Sequence, residues 1–445
     1  MQDRSSAAGG PRPPSKLFYG WWIVAAGSVI SALQDGTYFF GFSMYFLPVT
    51  RDFGLSRAAT SLVYGLGHLE GGVVGPAAGY LVDRLGSRTM IAVGGVVAGL
   101  GFILLATAHS FATFLFVYVG ILSLGIHSGF SHGVMAAVNQ WFIRRKALAM
   151  SITSMGFSVG GVVITPGIAF LVLTLGWRTA AVISGVVLMA VVIPLSLVMR
   201  RSPESMGLLP DGDRDLAIAR KNLLGIESSG FARQITTVDF TTREAIRTPT
   251  YWLLAVAIGL RISGFSGLFV HLVPLIVWKG QTEATGAFIV VAISFVSVPV
   301  RVFLGWIGDR WATQRILGIT NFFGVASLAI LLLSGGQLWQ LLIFATLFAA
   351  PLSGGGLCWA LIGDFFGRKS FATLRGGTMA VSSFMSMGVP VFAGWVYDTS
   401  GSYYWAITPM IGMYLIAAML FWKLPRPRPP SRVADPISVD ASTGQ

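Results

Sequence analysis

Four charged side chains and four histidines stand inside long apolar runs of this chain. The bases are Arg261 and Arg301, the acids are Asp35 and Glu70, and the imidazoles are His68, His127, His132 and His271. Placing a charge at the centre of a bilayer costs from about 3 kcal/mol on insertion scales to more than ~10 kcal/mol in simulation. Each such residue is therefore a candidate for function. A guanidinium suits a carboxylate, and a sheltered carboxyl or imidazole suits a proton. The four charges sum to zero, so protonating one acid leaves a positive site that holds one anion together with one proton. On this reading Arg301 binds the anion, Arg261 supports it, and Asp35, Glu70 and His127 are the candidates for proton coupling. Reading Asp35 and Glu70 as recognition charges gives instead a carrier of a cationic or neutral compound. The bland alternatives are ion pairs that only hold helices together, and packed, hydrogen-bonded histidines. Glu70 and His68, two residues apart, fall on different helical faces and form no dyad. Tyr38, Tyr64, Trp359 and Ser383 are expected to shape the pocket.

Other chemistries lack their signatures. No nucleophile–base constellation is visible, so the chain does not read as an enzyme. No H-E-x-x-H or comparable ligand spacing points to a metal, and no G-x-x-x-x-G-K-[ST] loop points to a nucleotide. A single cysteine, Cys358, excludes an internal disulfide and a cysteine metal cluster. No cofactor is expected.

The elements that must position these residues are membrane helices. Of 445 residues 54% are hydrophobic and 11% charged, against about 25% charged in a soluble domain. Apolar runs of about 20 residues span a bilayer as helices, not as barrel strands. Twelve spans are expected, at 20–47, 58–82, 89–108, 113–140, 147–174, 178–199, 250–278, 284–307, 315–334, 338–363, 372–397 and 403–423. The fold class is an all-α membrane protein of two six-helix bundles, 20–199 and 250–424. They are joined by a polar linker, 200–249, with tails at 1–19 and 425–445. A short surface helix is expected near Thr241–Arg247.

Counting Lys and Arg by loop gives 25 on one side and 4 on the other. The positive-inside rule then makes both termini and the linker cytoplasmic. The net charge of +13 follows from that asymmetry and does not signal nucleic acid. The halves repeat. The stretch from Gly79 through Asp83, Arg84 and Gly86 to Arg88 returns as Gly305, Asp309 and Arg310, with the aspartates 226 positions apart. Trp141-Phe142-Ile143-Arg144-Arg145-Lys146 returns near Phe365-Phe366-Gly367-Arg368-Lys369 at almost the same offset. An internal duplication of this kind points to a transporter.

The G-x-x-x-D-R-x-G-x-R pattern at Gly79–Arg88 and its degenerate twin at Gly305–Arg310 resemble the hallmark loops of the major facilitator superfamily, over about residues 20–424. Finer features are similar to the bacterial monocarboxylate carriers and oxalate–formate exchangers. These are Tyr19-Gly20-Trp21-Trp22, Gly176-Trp177-Arg178, Pro203-Glu204 and Arg247-Thr248-Pro249. The resemblance implies a secondary transporter in a bacterial inner membrane, moving a small carboxylate with protons by alternating access, with anion exchange second. It places Arg301 as the carboxylate-binding arginine. Asp83 and Asp309, with Arg84, Arg88 and Arg310, become gating residues, each aspartate capping a helix of the opposite half: span eleven for Asp83, span five for Asp309. The chain departs from eukaryotic carriers in having no lysine in span one and Ser297 one turn before the arginine. Arg375 is expected only at the entrance of span eleven, which ranks dicarboxylate exchange lower.

Overall fold

Long apolar runs satisfy their backbone groups internally as helices, and turn residues end them. The computed structural model describes residues 18–54, 57–212 and 239–429. The twelve main helices are α1 (20–52), α2 (Arg57–Leu85), α3 (Ser87–Leu105), α4 (Phe111–Trp141), α5 (Lys146–Leu175), α6 (Trp177–Val198), α7 (Pro249–Trp278), α8 (Glu283–Gly308), α9 (Thr313–Leu333), α10 (Leu338–Phe366), α11 (Phe371–Ser400) and α12 (Tyr404–Lys423). From α3 to α12 each is long and apolar enough to cross a membrane. The helix α1 is interrupted by a π-helical turn at Asp35–Phe39, and α2 is diluted by glycines and charges. A short helix, Thr242–Ile246, leads into α7. It is capped reciprocally by Thr241 and Glu244.

The halves meet along two glycine-lined seams. On α2, Gly79 lies against the Ala372 carbonyl and Gly72 against Ser383 of α11, and Gly376 of α11 abuts the Gly75 carbonyl. A Cβ at these positions has no room, which is why small residues recur there. The duplicated seam puts Gly305 of α8 on Leu148 and Ser151 of α5, and Gly308 on Ala147. Gly86 serves differently. Its φ of 91° makes the tight turn from α2 to α3, a conformation that a Cβ strains.

The end of the bundle that carries the basic loops is sealed by carboxylates on helix N-termini. Asp83 accepts hydrogen bonds from Ala372 N (3.1 Å), Thr373 N (2.9 Å) and Thr373 Oγ1 (2.6 Å) at the start of α11. Asp309 accepts from Ala147 N (2.8 Å) and Leu148 N (3.3 Å) at the start of α5. Orphan amides and the helix dipole favour an anion at each place. Beneath them Lys146 and Asp364 form a buried ion pair across the halves, N···O 3.7 Å. Both ends of the linker join in. Asp211 accepts from the amides of Ile143, Arg144 and Arg145, and Asp239 accepts from those of Arg368 and Lys369. Arg368 also pairs with Glu204 and donates to Gln140. Burial alone would raise the Glu204 carboxyl, but the hydrogen bonds from Arg368 and Ser202 outweigh it and hold it below its ordinary range.

Candidate functional site: a cationic cavity between the halves

Between the two halves lies a cavity of about 310 Å³. Arg261, Arg301 and Arg375 line it, with Asp35 as its one carboxylate among the described residues and His127, Tyr38 and Trp359 also in the wall. The three guanidiniums differ in what their N–H groups meet.

Arg301 comes from α8. Its Nη1 donates to the Ser154 carbonyl of α5 at 2.6 Å, and the guanidinium lies over the Phe157 ring at 5.7 Å. One turn earlier, Ser297 bonds to Ser158 of α5, and its carbonyl accepts from Ser353 of α10. Those contacts fix this stretch of α8 between its neighbours. Among the described residues, Nε of Arg301 is buried without a partner and Nη2 has none either. Arg261 comes from α7. Its Nε and Nη2 both donate to the Pro351 carbonyl, at 3.1 and 2.6 Å, and Nη1 has no partner among the described residues. That carbonyl is available because α10 breaks at Gly354, between Leu338–Ser353 and Gly355–Phe366. No acid lies within ion-pair distance of Arg261, Arg301 or Arg375 among the described residues.

Arg375 is held otherwise. It sits on α11, is 4% exposed, and lies over the Trp359 ring at 4.5 Å. Its Nη1 is 2.9 Å from His132 Nδ1 and its Nη2 donates to Ser131 Oγ at 3.0 Å, both on α4. The sequence places this arginine only at the entrance of span eleven. The structure puts it in the cavity wall, because α11 begins at Phe371 and carries Arg375 a full turn inward.

Asp35 lies in the π-helical turn of α1. Next to it, Gly36 packs on the Gly160 carbonyl of α5. The turn shifts helical register and presents Asp35, Tyr38 and Phe39 to the cavity. Glu70 does not line this cavity. Its Oε2 is 2.7 Å from Ser123 Oγ, which accepts from Tyr38 OH at 3.0 Å. Tyr38 stacks on Tyr118 at 5.4 Å and meets the His127 ring edge-on at 5.5 Å. Glu70 is thus joined to the cavity through Ser123 and Tyr38. Ser383 lies in the α2–α11 seam, outside the cavity lining. The side chains of Tyr64 and His68 fall outside the described residues. His271 bonds Tyr403 and the Pro390 carbonyl, away from the cavity. Arg84, Arg88 and Arg310 are exposed. Arg84 donates to Tyr80, and Arg310 stacks on Trp306 of its own helix.

A helical bundle of two facing halves around a polar central cavity, sealed at one end, defines a membrane transporter. The chain belongs to the Major Facilitator Superfamily, whose family model matches residues 24–389. Among curated relatives it is similar to monocarboxylate transporter 12 of Mus musculus, 24% identical over 414 residues, covering 86% of this chain and 81% of that protein. It is also similar to monocarboxylate transporter 11 of Homo sapiens, 24% identical over 436 residues, covering 94% and 86%. Among solved structures it is similar to the human organic anion transporter MFSD10 (TETRAN), with a TM-score of 0.68 at 16% identity over 92% of this chain and 100% of that one. The transporter FucP in the outward conformation gives a TM-score of 0.67 at 14% identity over 91% and 99%. At these identities the solved structures speak for the fold.

Proposed function

We propose that the protein carries a small organic anion, a monocarboxylate with protons, by alternating access. One observation carries the reading. Arg261 Nη1 and Arg301 Nη2 belong to two guanidiniums in one cavity wall, and neither nitrogen has a partner among the described residues. Two like charges facing one space, neither in ion-pair contact with an acid among the described residues, are complementary to an anion. The names of the relatives agree with a carboxylate. Asp35 faces the same cavity and is the first candidate for the proton. Glu70 and His127 extend it through Tyr38 and Ser123. The sealed basic end is taken as cytoplasmic, which makes this an outward-facing state with Asp83 and Asp309 as its latches. The neighbouring Arg84, Arg88 and Arg310 complete those loops.

The third guanidinium, Arg375, favours a second reading in which two anions, or one anion with two carboxylates, are exchanged. Uptake into proteoliposomes separates these readings. A panel of labelled monocarboxylates, dicarboxylates, amines and sugars is offered to the native protein, Arg261→Gln, Arg301→Gln and Asp35→Asn. Carboxylate uptake that falls at least tenfold in both arginine variants is expected, since a charged hydrogen bond contributes about 1.5–3 kcal/mol. Full uptake by Arg301→Gln at unchanged affinity overturns the anion reading. Loss only in Asp35→Asn, with amines as cargo, replaces it with cation transport.

A further inference from the structure

A guanidinium has no acceptor and stays protonated, so in the 2.9 Å contact it is Arg375 Nη1 that donates and His132 Nδ1 that accepts. His132 must therefore be neutral here, with its single ring proton on Nε2. A second proton can enter the imidazole only at Nδ1, the atom that Arg375 occupies. Protonation of His132 and retention of the Arg375 bond exclude each other. Two cations would otherwise face each other at hydrogen-bond distance in a site where His132 is 2% exposed.

The contact has a second property. His132 and Ser131 lie on α4 and Arg375 lies on α11, so these two bonds tie one half to the other at the floor of the cavity. Arg375 Nε is buried without a partner, so the fork rests on these two bonds and on the Trp359 face. Displacing it from His132 both loosens the sealed end and frees a guanidinium beside the cavity.

We propose that His132 is a proton-coupling residue that positions Arg375, and that a proton on its Nδ1 releases Arg375 from α4 to the cargo anion and unlocks the basic end. The charges balance. One proton enters the imidazole as one carboxylate enters the cavity, and the guanidinium exchanges a neutral acceptor for the anion. The inference rests on the transport reading above but not on which solute is carried.

The titratable groups acting on His132 are Arg375 from α11 and His127 from its own helix. On the other packed helices, Glu70 of α2 bonds Ser123 and Arg88 of α3 is exposed. Asp83 of α2 caps α11, Lys146 of α5 pairs with Asp364 of α10, and Asp35 of α1 faces the cavity.

The test needs no solute. Full-length protein with Cys358→Ala, Arg145→Cys and Lys369→Cys places one spin label on each half at exposed positions of the basic end. Distance distributions are read by pulsed electron paramagnetic resonance in proteoliposomes from about pH 8 to about pH 4, a range that spans ordinary imidazole titration and extends to its acid side. The expected result is an open-to-closed ratio that rises about tenfold or more towards acid, the size set by losing charged hydrogen bonds. In His132→Asn, whose Oδ1 replaces Nδ1 as acceptor but takes no proton, the change should fall below about twofold. Arg375→Gln, which removes the competition for Nδ1, should flatten the response as well and serves if His132→Asn does not fold. A response of undiminished size in these variants overturns the proposal, because it would then belong to Asp35 or Glu70. So does a background protein whose distances ignore pH. Because no carboxylate is present, failure of the anion reading leaves this result untouched, and the reverse holds.

Discussion

Replacing Asp83 by Asn tests the latch with a magnitude the structure supplies. The carboxylate accepts three hydrogen bonds at the start of α11, from two backbone amides and the Thr373 hydroxyl. Asparagine keeps one acceptor oxygen, turns the other into a donor aimed at donors, and removes the charge. Hydrogen bonds to a charged group contribute about 1.5–3 kcal/mol each and neutral ones about 1 kcal/mol. Three charged bonds reduced to at most two neutral ones therefore cost the sealed state at least about 2.5 kcal/mol. At 1.4 kcal/mol per factor of ten, the sealed-to-open ratio falls at least about 60-fold. The assay is alkylation of Ser154→Cys, a cavity-lining position, in a Cys358→Ala background, with an impermeant maleimide applied to the basic end. The alkylation rate should rise by the same factor until the open form predominates. Asp309→Asn, which uncaps α5 in the duplicated site, should move it in the same direction. A rate changed less than about threefold in both variants, with the proteins folded, refutes the argument that these caps hold the end shut.

Asp364→Ala leaves Lys146 buried without its acid, which should cost about 3–5 kcal/mol and appear as a lowered melting temperature in detergent. Gly376→Val puts a branched side chain into the Gly75 backbone, so it should abolish transport while Gly388→Val, in open space on the same helix, does not. The pair of Glu204 with Arg368 is half exposed, so Glu204→Gln should change stability by less than about 1 kcal/mol and less still in high salt. Its depressed carboxyl gives the sign. The contribution is present above the ordinary carboxylate range and is lost as pH falls through and below it, so wild type and Glu204→Gln should converge in melting temperature in acid.

Twelve helices were legible because hydropathy sets where a helix can sit in lipid, and the ends read from it fall within a few residues of those in the structure except at the outer end of α1. Arg261, Arg301 and Asp35 were visible as isolated charges in apolar runs. Arg375 was not, since a charge four residues into a helix looks like the edge of a span, and only the inward path of α11 shows that it lines the cavity. The link between Arg375 and His132 joins residues 243 positions apart, and no local pattern announces such a pair. The π-helical turn at Asp35–Phe39 was equally hidden. It depends on how Gly36 meets α5, a contact between elements and not a preference of the turn itself.

Where Gly75 and Gly79 meet Gly376 and Ala372, backbone touches backbone with no side chains meshed between them. Such a surface is smooth: tilting one bundle on the other need not lift any knob out of a hole, so friction against rocking is low. It is also thin, with no slack to absorb an added methyl group. The same join that eases motion is thus the place where the smallest wedge, genetic or chemical, would stall the machine in mid-stroke.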